Sequence, residues 1–290
     1  MNSAVQKVAI ITGGASGMGY AVASALASTG NWELHLVDMN AKLGQEAAMQ
    51  LRCSTFHDLD VTNYSRLAGV FKTAFLKHRR LDFVFANAGI VDSGSYYDFH
   101  GTGDDPPPEP SRLVVDVDLI SVINTSYLAQ HYFRQSPNDK EGPRSLIITA
   151  SCGGFYACPV QPIYGAAKHG VIGWVRNIAG RAYRDDGVRV NAICPGTVHT
   201  NLLPKEAWKT FPEGYFTPLN KVVEVVIMLL DNKTDDSLPA GSQIEGHNQP
   251  AIGQTVEISG ENHYFRTQYP FCDDTMGEVM GATEADEFTK

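Results

Sequence analysis

At 290 residues, the chain is long enough for one large α/β domain with a well-buried core, although two small domains would also fit. Its 43% hydrophobic and 19% charged residues are ordinary for a soluble globular protein, and a formal net charge of −9 argues against a broad surface that neutralises nucleic-acid phosphates. Its five cysteines are odd in number and lack CxxC spacing, which argues against a disulfide framework or a zinc knuckle.

Two hydrophobic segments indicate where in the cell the protein is located. The first periodic segment begins at about Lys7, which leaves no room for a signal peptide before it. The most apolar late stretch, "VVEVVIMLL", is short and contains Glu224, so it cannot span a bilayer. Together with the scattered thiols, these observations predict a cytoplasmic protein without a membrane span.

Short apolar runs alternate with helical patterns along most of the chain. The predicted strands, in order, are "KVAII", "WELHLVD", "STFHD", "LDFVFANAG", "SLIITAS", "VRVNAICPG" and "QTVEISG". Helical patterns lie between successive strands, among them a long one over roughly Ser111–Gln135 and another over Tyr164–Tyr183. This alternation predicts an α/β fold: a single doubly wound Rossmann-fold domain over residues 1–260, with a seven-stranded, mostly parallel sheet and helices on both faces.

Three segments depart from this alternation. Asp92–Ser111 is rich in Gly, Pro and Asp and is predicted to be a loop. The region 197–220 is irregular and aromatic-rich, which fits either a substrate loop that covers a pocket or a long loop held to the body by its rings. Residues 261–290 form a C-terminal extension that would cap the pocket or reach a partner subunit.

The octet "TGGASGMG", which begins at Thr12, follows the first predicted strand and opens a predicted helix. Gly13 permits a tight turn there, while Gly17 and Gly19 let backbone approach a pyrophosphate and let the helix pack on the strand. The helix directs free N–H groups and its positive dipole end at that anion. Asp38 ends the second strand, where a carboxylate can bond both ribose hydroxyls and repel a 2′-phosphate. The sequence therefore predicts a dinucleotide site that favours NAD over NADP.

Several spaced motifs, taken together, resemble the short-chain dehydrogenase/reductase family over about Lys7 to Gly260. "QPIYGAAKHGVIGW", with Gln161 and the acidic Asp38, is similar to the NAD-dependent 15-hydroxyprostaglandin dehydrogenase-like branch of that family. The matching family motifs, in chain order, are TGxxxGxG with Thr12, Gly13, Gly17 and Gly19; an acidic dipeptide, Asp60 and Val61; ANAG with Asn87, Ala88 and Gly89; Ser151; YxxxK from Tyr164 to Lys168; and PGTVHT from Pro195 to Thr200.

The resemblance implies a set of cofactor contacts. Lys168 would bond the nicotinamide ribose, Asp60 and Val61 would hold the adenine, and Val198 and Thr200 would bind the nicotinamide amide and a phosphate. The other cofactor-binding residues implied are Ser16 and Met18 in the glycine turn, Asn87, Ala88 and Gly89 after strand four, Tyr164, and Pro195 and Gly196 after strand six.

Hydride transfer between an alcohol carbon and a nicotinamide also requires a proton to leave or reach the alcohol oxygen. A tyrosine is a poor base near neutrality, but a lysine at i+4 lies on the same helical face and favours the phenolate. Tyr164 is therefore the predicted general base for oxidation and acid for reduction, with Lys168 tuning it. Ser151 would donate a hydrogen bond to the substrate oxygen.

One position departs from the family pattern. The family usually has an asparagine in the long helix after strand four, where it supports a proton relay through water; the matching stretch "VDVDLIS" places Asp118 there. We expect Asp118 to take over the relay, and as a carboxylate it would raise the pKa of the Tyr164 phenol and oppose Lys168.

Apolar residues near these motifs suggest a hydrophobic secondary alcohol of steroid, terpenoid, polyketide or fatty-acid origin, oxidised because cellular NAD is mostly oxidised. Two other readings stay open: an NAD-dependent isomerase or dehydratase, and a non-catalytic cofactor-sensing protein. No metal is expected, since His169 and His199 have no clustered ligands. The family resemblance implies a homodimer or homotetramer. The predicted substrate contacts are Ser151, Phe155, Tyr156, Gln161, Tyr164, Leu202 and Trp208.

Overall fold

The computed structural model describes residues 6–137, 144–233 and 250–283, and in these ranges the strands form a single sheet. The strand order is β3-β2-β1-β4-β5-β6-β7-β8, with parallel pairing from β3 to β7. This order is doubly wound around β1 and is that of a Rossmann fold, which confirms the predicted fold class. The strands are β1 Lys7–Thr12, β2 Trp32–Asp38, β3 Ser54–Asp58, β4 Phe83–Ala86, β5 Ser145–Thr149, β6 Arg189–Pro195, β7 Thr255–Ser259 and β8 Asn262–Arg266.

Helices cover both faces of the sheet because its central strands are apolar on both sides. On β1, Val8 and Ile10 pack in one buried cluster with α3, α5 and α6, while Ala9 and Ile11 pack in the other with α1 and α8. The helices are α1 Gly17–Ser28, α2 Ala41–Gln50, α3 Tyr64–His78, α4 Leu113–Val115, α5 Ser121–Gln135, α6 Pro162–Asp186, α7 Lys205–Trp208, α8 Leu219–Leu230 and α9 Asp274–Ala282.

The predicted strand number of seven is wrong, because the described sheet has eight strands. The additional strand, β8, is antiparallel to β7 and follows a tight turn in which Gly260 has φ of 55°. It lies in the segment predicted to be a C-terminal extension, where no strand was expected. Residues 261–266 of the predicted C-terminal extension thus include an edge strand of the sheet, and residues 284–290 lie outside the described part of the chain.

The long helix after β4 is not regular. A π-helical turn at Asp116–Ile120 joins α4 to α5, and it contains the fully buried Asp118. Such turns widen the helix locally and are frequent at functional sites. The segment before α4 contains neither helix nor strand, which confirms the predicted loop at Asp92–Ser111. None of the helices in the described ranges is long and apolar enough to span a bilayer.

Candidate active site

The carboxyl ends of β1, β2, β4, β5 and β6 border a cavity of about 420 Å³. This is the edge at which open parallel sheets bind ligands, because strand order reverses there. The predicted site residues that line it are Gly13, Ser16, Gly17, Met18, Asp38, Asn87, Ala88, Gly89, Asp118, Ser151, Tyr156, Gln161, Tyr164, Lys168, Pro195, Gly196, Val198, Thr200, Leu202 and Trp208.

The glycine turn forms the floor at one end of the cavity. Gly13 and Gly17 have φ of 64° and 54°, in the left-handed region that side chains rarely adopt. A Cβ at Gly13 would lie 2.9 Å from Asn87 Nδ2, and one at Gly19 would lie 2.2 Å from the Gly13 carbonyl oxygen. Asn87 in turn donates from Nδ2 to the Thr12 carbonyl at 3.2 Å. These contacts leave backbone as the surface of the turn, as a bound pyrophosphate requires.

Asp38 lies beside this turn at the end of β2. Its Oδ2 accepts from the Ala15 amide at 3.1 Å, and its Oδ1 accepts from the Asn40 amide at 2.9 Å. Both oxygens are therefore fixed by backbone donors while the side chain still lines the cavity. Among the lining residues that the structure describes, Lys168 is the single Lys or Arg, and it lies at the opposite end, beside Tyr164.

Ser151, Tyr164 and Lys168 come together where β5 ends and α6 begins. All three side chains line the cavity, and Lys168 Nζ lies 5.6 Å from the centroid of the Tyr164 ring. Lys168 also donates to the Thr149 carbonyl at 3.0 Å. Burial raises the pKa of Tyr164, Lys168 and Ser151 lower it, Asp118 raises it, and the balance lies above the ordinary value.

Asp118 and Lys168 form a buried ion pair. Asp118 Oδ2 lies 3.1 Å from Lys168 Nζ, and the side chains are 0% and 3% exposed. The other carboxylate oxygen accepts from the Ile90 amide at 2.9 Å. Burial lowers the pKa of Lys168, but the charges of Asp118 and Tyr164 outweigh burial and leave that pKa raised. Lys168 therefore stays cationic beside Tyr164.

Asp92 is a residue that the sequence patterns did not single out. Its carboxylate oxygens accept from the backbone amides of Ile163 at 3.1 Å and Tyr164 at 2.9 Å. The residue preceding α6, Gln161, makes no side-chain cap of its own. Asp92 thus caps the helix that carries Tyr164 from 72 residues away in sequence, a separation at which no local motif exists.

Aromatic and aliphatic side chains from residues 197–220, the predicted substrate loop, close the end of the cavity away from the glycine turn. Trp208 donates from Nε1 to the Thr200 carbonyl at 3.1 Å and is only 7% exposed. Its ring packs with those of His199, Phe211 and Phe216, so the rings hold the loop together while Trp208 and Phe211 also line the cavity.

A polar network connects the end of the cavity at Tyr156 to β8. Tyr156 lines the cavity and donates from its hydroxyl to Glu257 Oε2 at 3.1 Å. The same oxygen accepts from Arg266 Nε at 2.6 Å. The edge strand that the sequence analysis missed thereby helps to position a predicted substrate contact.

Some predicted residues lie elsewhere. Phe155 does not line the cavity, because its ring packs against the buried cluster beneath α6. Val61 is part of the same cluster, and the Asp60 carboxylate accepts from the Thr62 amide at 2.9 Å. Gly19 packs beneath the turn. These residues shape the surroundings of the cavity without facing into it.

The cavity fits a dinucleotide cofactor in two respects. A Cβ at Gly17 would come within 3.2 Å of Thr200 Cγ2, so the opening between the turn and the loop after β6 depends on that glycine. The opening leads from the α1 N-terminus, with Asp38 beside it, toward Tyr164 and Lys168. The glycine turn and Asp38 would hold the phosphates and the ribose, and Lys168 the nicotinamide ribose.

Comparisons with known proteins identify the family of the chain. The family model described as short chain dehydrogenase matches residues 7–209. The short-chain dehydrogenase/reductase prx7 of Penicillium rubens is 44% identical over 276 residues, covering 92% of this chain and 96% of that protein. The Homo sapiens 15-hydroxyprostaglandin dehydrogenase, whose name specifies NAD(+), is 31% identical over 204 residues, covering 68% and 70%.

Solved structures share the fold. The crystal structure of a 3-ketoacyl-(acyl-carrier-protein) reductase from Brucella melitensis complexed with NADH superimposes with a TM-score of 0.65 at 22% identity, covering 77% of this chain and 90% of that one. The crystal structure of gox2181 gives a TM-score of 0.64 at 24% identity, covering 78% and 88%.

Proposed function

Because the chain belongs to the short-chain dehydrogenase family of nicotinamide-dependent oxidoreductases, we propose that it is an NAD-dependent dehydrogenase that oxidises a hydrophobic secondary alcohol. The observation that carries this proposal is the juxtaposition of Ser151, Tyr164 and Lys168 at one end of a cavity whose other end is the glycine turn with Asp38. A binding protein without turnover has no need of the three catalytic side chains.

The preference for NAD rests on Asp38. Its carboxylate is held at the cavity by the Ala15 and Asn40 amides, where it would accept hydrogen bonds from two ribose hydroxyls. A 2′-phosphate there would meet this negative charge, and no Lys or Arg among the described lining residues is near enough to Asp38 along the cavity to offset it. The name of the human relative, which specifies NAD(+), supports the same preference.

In the proposed mechanism, the bound nicotinamide supplies the hydride acceptor. Ser151 donates a hydrogen bond to the alcohol oxygen and orients it toward Tyr164. Tyr164 takes the hydroxyl proton as the hydride leaves the carbon, and the Lys168 ammonium stabilises the resulting phenolate. Asp118 keeps Lys168 protonated, and the Thr149 carbonyl fixes the direction of its Nζ.

The substrate class follows from the end of the cavity beyond Tyr164. Leu202, Leu203, Trp208 and Phe211 form an apolar wall there, and Tyr156 supplies a polar group at its edge. Such a wall favours a ring system or an alkyl chain over a small polar alcohol.

The proposed state is a homodimer or homotetramer in the cytoplasm. Tyr127 on α5 and Tyr183 on α6 are 66% and 39% exposed, and two-fold packing of these helices would cover them. All five cysteines are unpaired thiols, which suits a reducing compartment. Light scattering after size exclusion would measure the oligomeric state.

The first test measures the Kd values of NADH and NADPH by quenching of tryptophan fluorescence, for which Trp208 in the cavity is a reporter. We expect tighter binding of NADH, and loss of this preference in Asp38→Ala. Asp58→Ala is the matched control, since Asp58 is the exposed register partner of Asp38 on β3 and does not line the cavity. Equal binding of both cofactors by the wild type would contradict the NAD assignment.

The second test follows NADH absorbance with a panel of lipophilic secondary alcohols. Turnover of at least one of them would support the dehydrogenase. Cofactor binding with no hydride transfer to or from any panel member would instead favour the isomerase, dehydratase or cofactor-sensing readings.

A further inference from the structure

A second cluster of ligand-type side chains lies between the sheet and α3, away from the cavity. Glu33 and His35 are two residues apart on β2 and so share one face of the sheet, and His78 is the last residue of α3 above that face. One ligand atom from each of the three side chains lies within 4.8 Å of the other two. Glu33 Oε1 and His78 Nε2 are 3.7 Å apart.

Two ring nitrogens of this cluster are buried without a hydrogen-bond partner. His35 Nε2 and His78 Nε2 both lack one, although His35 is only 1% exposed. Buried polar atoms are almost always satisfied, so two unpartnered nitrogens beside one carboxylate need a physical explanation. Both nitrogens can offer a lone pair to an ion placed between them and Glu33.

A fourth side chain sets the orientation of His35. His35 Nδ1 lies 2.9 Å from His57 Nε2 on β3, so when Nδ1 carries the proton it donates to His57 and leaves Nε2 unprotonated. Metal-bound histidines usually donate their other ring N–H to a neighbouring acceptor in this way. His57 thus offers an acceptor for the His35 Nδ1 proton in the tautomer that leaves Nε2 free for an ion.

From this arrangement we propose that Glu33, His35 and His78 bind a divalent transition-metal ion of the Zn²⁺ type. Two imidazoles and one carboxylate are a ligand set that Zn²⁺ accepts, with water at a fourth position. Tetrahedral ligands at zinc distances are about 3.3 Å apart, so binding requires the present set to close by small side-chain rotations. The ion would join β2 to the end of α3.

The cluster is too far from the active site for a direct catalytic part. Glu33 precedes Asp38 by five residues on the same strand, a distance of about 16 Å at the usual rise per residue. The role that fits this position is structural, since the ion would link the sheet near its β3 edge to the helix that covers it.

Lys77 competes with the ion in this proposal. Its Nζ lies 2.5 Å from Glu33 Oε1, and its side chain is 54% exposed, so it can leave for solvent when an ion binds. Removing the Lys77 charge should therefore strengthen metal binding, whereas removing a ligand should weaken it. These opposite signs make the proposal testable without relying on one variant.

The experiment uses untagged full-length protein freed of metal by dialysis against a chelator. Co²⁺ is titrated while the visible d–d bands of a four-coordinate ion are recorded, and Zn²⁺ binding is measured by calorimetry. We expect one ion per chain, and a Tm that rises with Zn²⁺ and falls again when chelator is added.

Three variants decide the outcome. His78→Gln should raise the Kd for Zn²⁺ by about 100-fold or more. Even the loss of a ligand's hydrogen-bond partner lowers metal affinity by about 10- to 100-fold. Lys77→Gln should lower the Kd for Zn²⁺ several-fold. His100→Gln, in an exposed loop, is the matched control and should leave it unchanged. Circular dichroism would verify that each variant is folded.

Absence of Co²⁺ bands in the wild type would overturn the proposal. So would equal affinity of wild type and His78→Gln, which would identify the bound ion as adventitious.

Discussion

The carboxylate of Asp118 lies 3.1 Å from the ammonium of Lys168, with both side chains buried, at the position where the family pattern has an asparagine. A charge therefore stands where the family pattern has a neutral amide that supports a proton relay, and we expected Asp118 to take over that relay. This charge acts on the two groups that handle the proton: it keeps Lys168 cationic, and it raises the pKa of Tyr164. The cationic Lys168 lowers the pKa of the Tyr164 phenol, whereas the charge of Asp118 raises it.

Asp118→Asn separates the charge from the hydrogen bond. The amide oxygen of the new side chain would still accept from the Ile90 amide, so the fold is retained, but the negative charge near Tyr164 is lost. Because that charge raises the Tyr164 pKa, we expect the acid limb of the pH profile of kcat/KM for oxidation to shift to lower pH. An unchanged profile would show that Asp118 does not act on the phenol.

Asp118→Ala tests the structural part of the same ion pair. It leaves the Lys168 ammonium buried without its counter-charge and removes the acceptor of the Ile90 amide. Breaking a buried pair in this way costs roughly 3–5 kcal/mol, so the free energy of unfolding should fall by about that much. Urea unfolding measures this free energy, and it should fall less in Asp118→Asn than in Asp118→Ala.

Tyr164→Phe tests the assignment of the acid–base group. Loss of a positioned general base typically costs about 10²- to 10⁴-fold in rate, so kcat should fall within that range. The Kd for NADH should change little, since the phenol is not required to hold the phosphates or the ribose at Asp38. If the variant keeps substantial oxidation activity, another group must take the proton.

Asp92 is predicted to position Tyr164 through the start of α6. Asp92→Ala removes the acceptor of the Ile163 and Tyr164 amides and should cost about 1 kcal/mol of stability, as loss of a helix cap does. It should also lower kcat more than it raises KM, with partial rescue by Asp92→Asn. Asp98→Ala, an exposed residue of the same loop, is the control. Equal kinetics of the two alanine variants would exclude the positioning role.

The sequence was sufficient for the parts of the site that depend on local spacing. The glycine turn between β1 and α1 and the Tyr164–Lys168 pair on α6 are each set by residues that are neighbours in sequence, and both line one cavity in the structure. Phe155 shows the limit of such reasoning. It lies close in sequence to Ser151, yet its ring packs against the hydrophobic core. Tertiary packing decides which residues of an irregular turn face the cavity.

Long-range contacts were beyond the sequence patterns for the same reason. Asp92 reaches α6 from another loop, and Arg266 reaches Glu257 from a strand that was interpreted as tail. The Glu33, His35 and His78 cluster joins β2 to α3 across 45 residues. Each of these contacts depends on the order of strands in the sheet, which hydrophobic periodicity does not encode.

The stability of the fold should decline in alkaline solution through the titration of Tyr164 and Lys168. Tyr164 and Lys168 both have a pKa that is raised in the folded protein, so the folded state holds protons that the unfolded chain releases. Their contribution to stability is complete below the pKa values of about 10 in the unfolded chain and is lost as pH rises above them, at up to about 1.4 kcal/mol per pH unit for each group.

Urea unfolding from pH 8 to 11.5 should therefore show a shallower decline of the free energy of unfolding for Tyr164→Phe than for wild type. Tyr97→Phe, at a tyrosine that is 66% exposed, should follow the wild type. The same slope in all three proteins would mean that Tyr164 is not a proton-holding group of the folded state, and the balance of burial and charge assigned to it would be wrong.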